Sequence, residues 1–213
     1  MRGLLKKEFY MTWRYCKMFL VIIVVFIGMA FAANNEEVNF FWIIYPFLLV
    51  GMIPMTTMAY DERQSWPAYS ATLPCSRGQT VSAKYLSGLL YVLGVVVLYM
   101  AVYAVRAFIN AGSLYGFGSF VIGVGAMCLT AGLAGATLCL PFCFALGVEK
   151  GRIAYYITIF LVCAGGPQLL MKQRSMVSPV PFLSKAPIAF LAVAALYVLS
   201  WQLSVFFYKK REL

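Results

Sequence analysis

The chain has 213 residues, 63% of them hydrophobic and 11% charged, with a mean hydropathy of +0.85. Soluble domains are about half apolar and about a quarter charged, so this composition describes an integral membrane protein. The net charge of +10 would suit nucleic acid, but the cations lie between apolar runs and form no nucleic-acid-binding signature, which excludes that partner.

Residues 1–17 put Leu5, Phe9, Trp13 and Cys16 on one helical face and spread Arg2, Lys6, Lys7, Arg14 and Lys17 around the rest. That pattern predicts a helix lying in the membrane interface with its cations on anionic headgroups. The basic start, the apolar run from Met18 and Ala30-Phe31-Ala32 also look like a cleavable signal. The basic region is long and aromatic, however, so the segment is expected to be retained. A first span is expected over 18–33, beginning up to a turn earlier, and a second over 40–60, where Pro46 and Pro54 predict kinks.

Between the second and third spans lies the longest polar stretch, Asp61 to Leu86, with Asp61, Glu62, Arg63, Arg77 and Lys84. Ser65 is placed to cap a short helix containing Pro67, and Pro74 to end it. Ser76 and Gln79 form a capping box that opens the next helix. Trp66, Tyr69, Ser70 and Leu73 fall on one face of the short helix, a mostly apolar stripe that needs a surface to pack on. That surface is either the headgroup layer, which Trp and Tyr favour, or a cytoplasmic partner.

The third span covers 85–109, with Arg106 near its end, and the fourth covers 119–146. In the fourth, Ala131 with Gly135 and Gly132 with Ala136 are overlapping small-xxx-small pairs, which read either as a close helix seam in a dimer or bundle or as the small residues common in membrane helices. The charged turn Gly147 to Arg152 leads to a fifth span, 153–171, interrupted by Gly165, Gly166 and Pro167. A loop over 172–185 precedes the sixth span, 186–208, which stops against Lys209, Lys210 and Arg211. Six spans leave both termini on one side. Of the 17 Lys and Arg, thirteen lie on that side, which the positive-inside rule makes cytoplasmic.

Among chemistries, the chain lacks a phosphate-binding G-x-x-x-x-G-K-[ST] loop, any His and any G-x-S-x-G elbow, so it is not expected to be an enzyme by itself. The six cysteines include no C-x-x-C pair. They read as small buried residues or free thiols, not as a disulfide framework or metal site, and Cys139 and Cys143 are helical neighbours with little claim on a soft metal. The expected span cores hold no Asp, Glu, Lys or Arg, which argues against ion-coupled transport. Energy must then come from a separate subunit. Thr56, Thr57, Tyr91, Tyr99, Tyr103, Thr130 and Thr137 are candidates for a substrate pathway inside the spans, against the plainer reading that each bonds within its own helix.

The order of Asp61, Glu62, Trp66, Leu73-Pro74, Ser76-Arg77 and Lys84-Tyr85-Leu86 resembles the first cytoplasmic loop of permeases of the ABC type-2 exporter family. Gly147 to Arg152 is similar to a second turn of that family, although Ala145-Leu146 departs from its basic approach. The resemblance implies an all-α, six-span permease forming a single domain over residues 1–213, with an N-terminal interfacial helix and a cytoplasmic coupling helix. It implies a partner ATPase subunit that binds ATP and Mg, no cofactor on this chain, a second permease protomer, and a bacterial plasma membrane. The loop would dock on the ATPase through Trp66, Tyr69 and Leu73, with Asp61, Glu62, Arg63, Arg77, Glu149 and Lys150 fixing orientation. The short six-span branch is similar to exporters of amphipathic peptides such as phenol-soluble modulins. The alternative is a membrane scaffold or immunity protein that binds a partner through 61–84 without transport.

Overall fold

The computed structural model describes residues 2–32, 36–72, 75–111, 117–153, 156–157, 160 and 180–210, and among these no strand occurs. The helices are α1 (Arg2–Tyr15), α2 (Lys17–Ala32), α3 (Glu36–Arg63), α4 (Trp66–Ala71), α5 (Arg77–Ala111), α6 (Phe117–Leu146) and α7 (Val180–Lys210). Residues 148–153 form a further short helical stretch. The sequence reasons for the boundaries are local. Ser76 N–H donates to Gln79 Oε1 at 3.2 Å and Gln79 N–H to Ser76 Oγ at 3.3 Å, so the expected capping box opens α5. Gly147 closes α6 with φ 88°, a left-handed conformation that favours glycine, and its N–H returns to the Cys143 carbonyl at 3.1 Å. Ser65 differs from expectation: it precedes α4 in a left-handed conformation (φ 53°) and its hydroxyl caps nothing. The chain has to reverse there over two residues, and that turn takes the backbone out of the extended conformation a side-chain cap requires.

Three described stretches are long and apolar enough to cross a membrane: Arg77–Val105, Cys128–Leu146 and Leu191–Lys210. A fourth arises if α1 and α2, bent by 73° at Cys16, count as one broken span. The described residues thus support three to four crossings of the six expected. The second expected span lies in α3, which runs unbroken through Pro46 and Pro54, and the fifth falls largely outside the described residues. The outer surface is apolar, with Val97 66%, Phe108 65% and Leu191 66% exposed, as lipid contact requires.

Among the described residues the interior has two apolar clusters. One gathers Met55, Val81, Tyr85, Leu140, Phe144 and Tyr208 near the loop ends of α3, α5, α6 and α7. The other gathers Ile23, Phe47, Val50, Val92, Tyr99 and Leu133 farther along the bundle. α6 packs most extensively on α7 and next on α3. Gly132 lies against Val92 of α5, so close that a Cβ there would stand 2.9 Å from Val92 Cγ1. Part of the small-residue stripe on α6 therefore serves a seam within the chain.

Candidate functional site

α1 turns an unexpected face inward. Glu8 and Thr12, one turn apart, are buried, while of the expected apolar face Cys16 is buried but Phe9 and Trp13 are 60% and 65% exposed. Glu8 enters a buried ionic cluster with Lys7, Asp61 and Lys84. Lys84 Nζ lies 2.7 Å from Glu8 Oε2, 2.6 Å from Asp61 Oδ2 and 3.1 Å from Thr57 Oγ1. Lys7 pairs with Asp61 and stands 3.4 Å from Glu8 Oε1. Two acids and two bases make the cluster neutral, and the three ammonium protons of Lys84 meet three acceptors. Burial holds the Lys7 ammonium below the usual lysine range, and Lys84 adds to this while Glu8 and Asp61 oppose it.

This cluster corrects two expectations. Asp61, expected on the loop's outer surface, is 5% exposed and lies inside. Lys84, expected before the third span, sits two turns into α5, near the loop end of a stretch long and apolar enough to cross a membrane. The four buried charges neutralise one another at the loop end of the bundle. The sequence carried one signal of this, the charged face of α1 with Glu8 among its lysines.

Above the cluster sits α4. Lys7 Nζ lies 4.0 Å from the centre of the Trp66 ring, a cation–π contact that fixes the inner side of the short helix. Trp66 is half-buried against Tyr69, whose ring centre is 5.5 Å away, while Tyr69 itself is 58% exposed. Arg63 is exposed next to it. Tyr15 stacks on Tyr60 at 4.3 Å and accepts a hydrogen bond from Gln64 Nε2 at 3.1 Å, so α1 also holds the end of α3. Leu73 lies outside the described residues.

The structure brings the two charged motifs together. Glu62 Oε2 accepts the Val148 N–H at 3.2 Å across 86 residues, which the left-handed turn at Gly147 makes possible. Glu149 and Lys150 are consequently exposed beside the first loop. Arg77 is turned elsewhere and donates to the Lys209 and Tyr208 carbonyls at 3.1 and 3.4 Å, holding the end of α7. Of the expected docking residues, Arg63, Tyr69, Glu149 and Lys150 are thus exposed, while Asp61 is buried and Glu62 and Trp66 are half-buried beneath them.

The proposed pathway residues are dispersed. Thr56 and Thr137 bond to their own helices through the Met52 and Leu133 carbonyls at 3.0 and 2.6 Å. Thr57 belongs to the ionic cluster, and Tyr91 donates to Thr12 of α1 at 2.8 Å. Tyr99 packs edge-on to Phe47 in the core, Tyr103 is half-buried farther along α5 and Thr130 half-buried on α6.

A family model described as "ABC-2 family transporter protein" matches residues 3–209. The chain belongs to the ABC-2 transporter family. No match to it is found among the curated proteins or among the solved structures. ABC-2 chains are membrane components of transport, not catalytic units, and normally work with an ATPase subunit.

Proposed function

We propose that this chain is the permease subunit of an ATP-driven exporter in a bacterial plasma membrane, with six spans and both termini cytoplasmic. Its partner ATPase, which binds ATP and Mg, docks on α4 and the neighbouring stretch 148–153. Tyr69 is the central contact, and Arg63, Glu149 and Lys150 supply charge at the rim. The observation that carries this reading is the two-sided construction of α4: its inner side is held by Lys7 and the buried ions, while Tyr69 is 58% exposed. A short helix held from below and apolar on its outer side passes a push from a partner into α1, α3 and α5 as one body. ATP-driven closure of two ATPases moves two such loops together and opens a pathway between two permease protomers. The substrate class is amphipathic peptide or small apolar compound, in keeping with the aromatic and methionine-rich spans.

Co-purification tests the reading. The wild-type permease is expected to bring down an ABC ATPase from its source cell, and Tyr69→Asp to lose most of it while the permease keeps its thermal unfolding midpoint. If no ATPase accompanies the wild type, the scaffold or immunity reading replaces the exporter. If Tyr69→Asp binds as well as wild type, α4 is not the docking surface.

A further inference from the structure

On the opposite side of α5 from the ionic cluster, a groove of about 290 Å³ runs between α5 and α7. Leu86 and Leu89 line it from one helix and Val198 and Trp201 from the other, with Tyr85 and Tyr197 behind them. Leu86, Val198 and Trp201 are 39%, 51% and 37% exposed, so the groove opens outward, where a membrane protein meets lipid.

Its polar atoms are already matched to one another. Tyr197 donates to the Tyr85 carbonyl at 2.7 Å, and Trp201 Nε1 donates to Ser82 Oγ at 3.0 Å. Tyr85 Oη bonds Ser200 and Ser204 at 2.7 Å each. A groove so satisfied offers shape and apolar surface only, and a hydrocarbon chain meets that demand while a polar ligand would leave its own groups unpaired.

Where the two helices end on the loop side, cations gather. Arg77 opens α5 and reaches across to the carbonyls of Tyr208 and Lys209, and Lys209 and Lys210 are both exposed. Lys209 follows Val198 by three full turns, which puts it on the groove's face of α7. At 1.5 Å per residue, Ser82 lies about 7 Å beyond Arg77 and Trp201 about 12 Å before Lys209. The headgroup layer is roughly 5–8 Å thick, so a phosphate at the cations sends its acyl chain along this groove.

We infer that the groove between α5 and α7 is a binding site for an anionic phospholipid, with its phosphate on Arg77, Lys209 and Lys210 and one acyl chain against Leu86, Leu89, Val198 and Trp201. The charge of the three cations selects an anionic headgroup over a zwitterionic one.

The test uses Trp201 as reporter. The full-length protein is reconstituted in phosphatidylcholine vesicles containing a small, equal share of either phosphatidylglycerol or phosphatidylcholine brominated in the acyl chain. Quenching of the Trp201 component is taken as wild type minus Trp201→Phe. Where that variant does not fold, a chain with Trp13, Trp42 and Trp66 changed to Phe leaves Trp201 as the sole emitter. Brominated phosphatidylglycerol is expected to quench far more than brominated phosphatidylcholine. Changing Lys209 and Lys210 to Gln should remove most of that preference, roughly fivefold per lysine, while Lys6→Gln on α1 with Lys17→Gln at the start of α2 should leave it unchanged. Equal quenching by the two lipids would make the contact ordinary boundary lipid and overturn the site. Quenching by neither would mean that another segment or a second copy covers the groove, and a preference surviving the Lys209 and Lys210 changes would overturn the headgroup assignment.

Discussion

Lys84 brings three N–H donors into a place closed to water and finds three acceptors there: Glu8, Asp61 and Thr57. Taking an ammonium out of water is tolerable only on such terms, and removing one partner leaves the others charged and unpaired. Lys84→Met would leave Glu8 and Asp61 sharing Lys7 alone. We expect a loss of about 3–5 kcal/mol in the stability of the detergent-solubilised protein, measured by chemical or thermal unfolding. A loss under about 1 kcal/mol would mean that water reaches the cluster and that it does not bind α1 to the loop. The residues of the cluster were visible in the sequence only as ordinary charges. Asp61 and Lys84 stand 23 positions apart, Glu8 lies 53 before Asp61, and no spacing rule joins residues of three helices. By contrast, the pairing of Ser76 with Gln79 is confined to one helical turn and was readable without coordinates.

At the scale of elements, the close approach of α5 to α6 depends on the absence of a side chain at Gly132. A Cβ there would meet both methyls of Val92, at 2.9 and 3.0 Å, and a β-branched residue has little rotamer freedom with which to yield. Gly132→Ala is expected to destabilise by about 1–3 kcal/mol through overpacking. Adding Val92→Ala should return part of that loss, the non-additivity that marks a direct contact. Unfolding of the two single variants and the double in detergent measures it, and strictly additive losses would show that the two helices do not meet there. The four-residue spacing of the small residues made a seam one of two readings, and the contact of Gly132 with Val92 decides for it. Its partner was not recognisable, because a small residue suits a neighbouring helix of the same chain as well as one from a second protomer. α1 shows the same division: helical periodicity predicted the element and its amphipathic character, but which face turned inward depended on the acids and lysines available on α3 and α5.

For the whole molecule, the arrangement has to place the cation-rich segments together. The proposed six crossings would put the N-terminus, α4, the 148–153 stretch and the C-terminal lysines on one side, and the contacts of Glu62 with Val148 and of Arg77 with the end of α7 join three of these regions directly. Reporter tags fused to the two ends should therefore both read cytoplasmic in cells. Opposite readings would require an odd number of crossings and would remove the six-span topology. Membrane residence, helical class, the main helices and the loop that resembles the ABC-2 permeases were all determined by the sequence alone, because they rest on composition and on periodicities of a few residues that act locally. Only tertiary structure decided that Asp61 is interior and Tyr69 exterior, that Glu62 joins the two charged motifs, and that α5 and α7 frame an apolar groove under a belt of cations. These depend on which side chains from distant positions can neutralise and fill one another, and in a bundle that choice is made by packing.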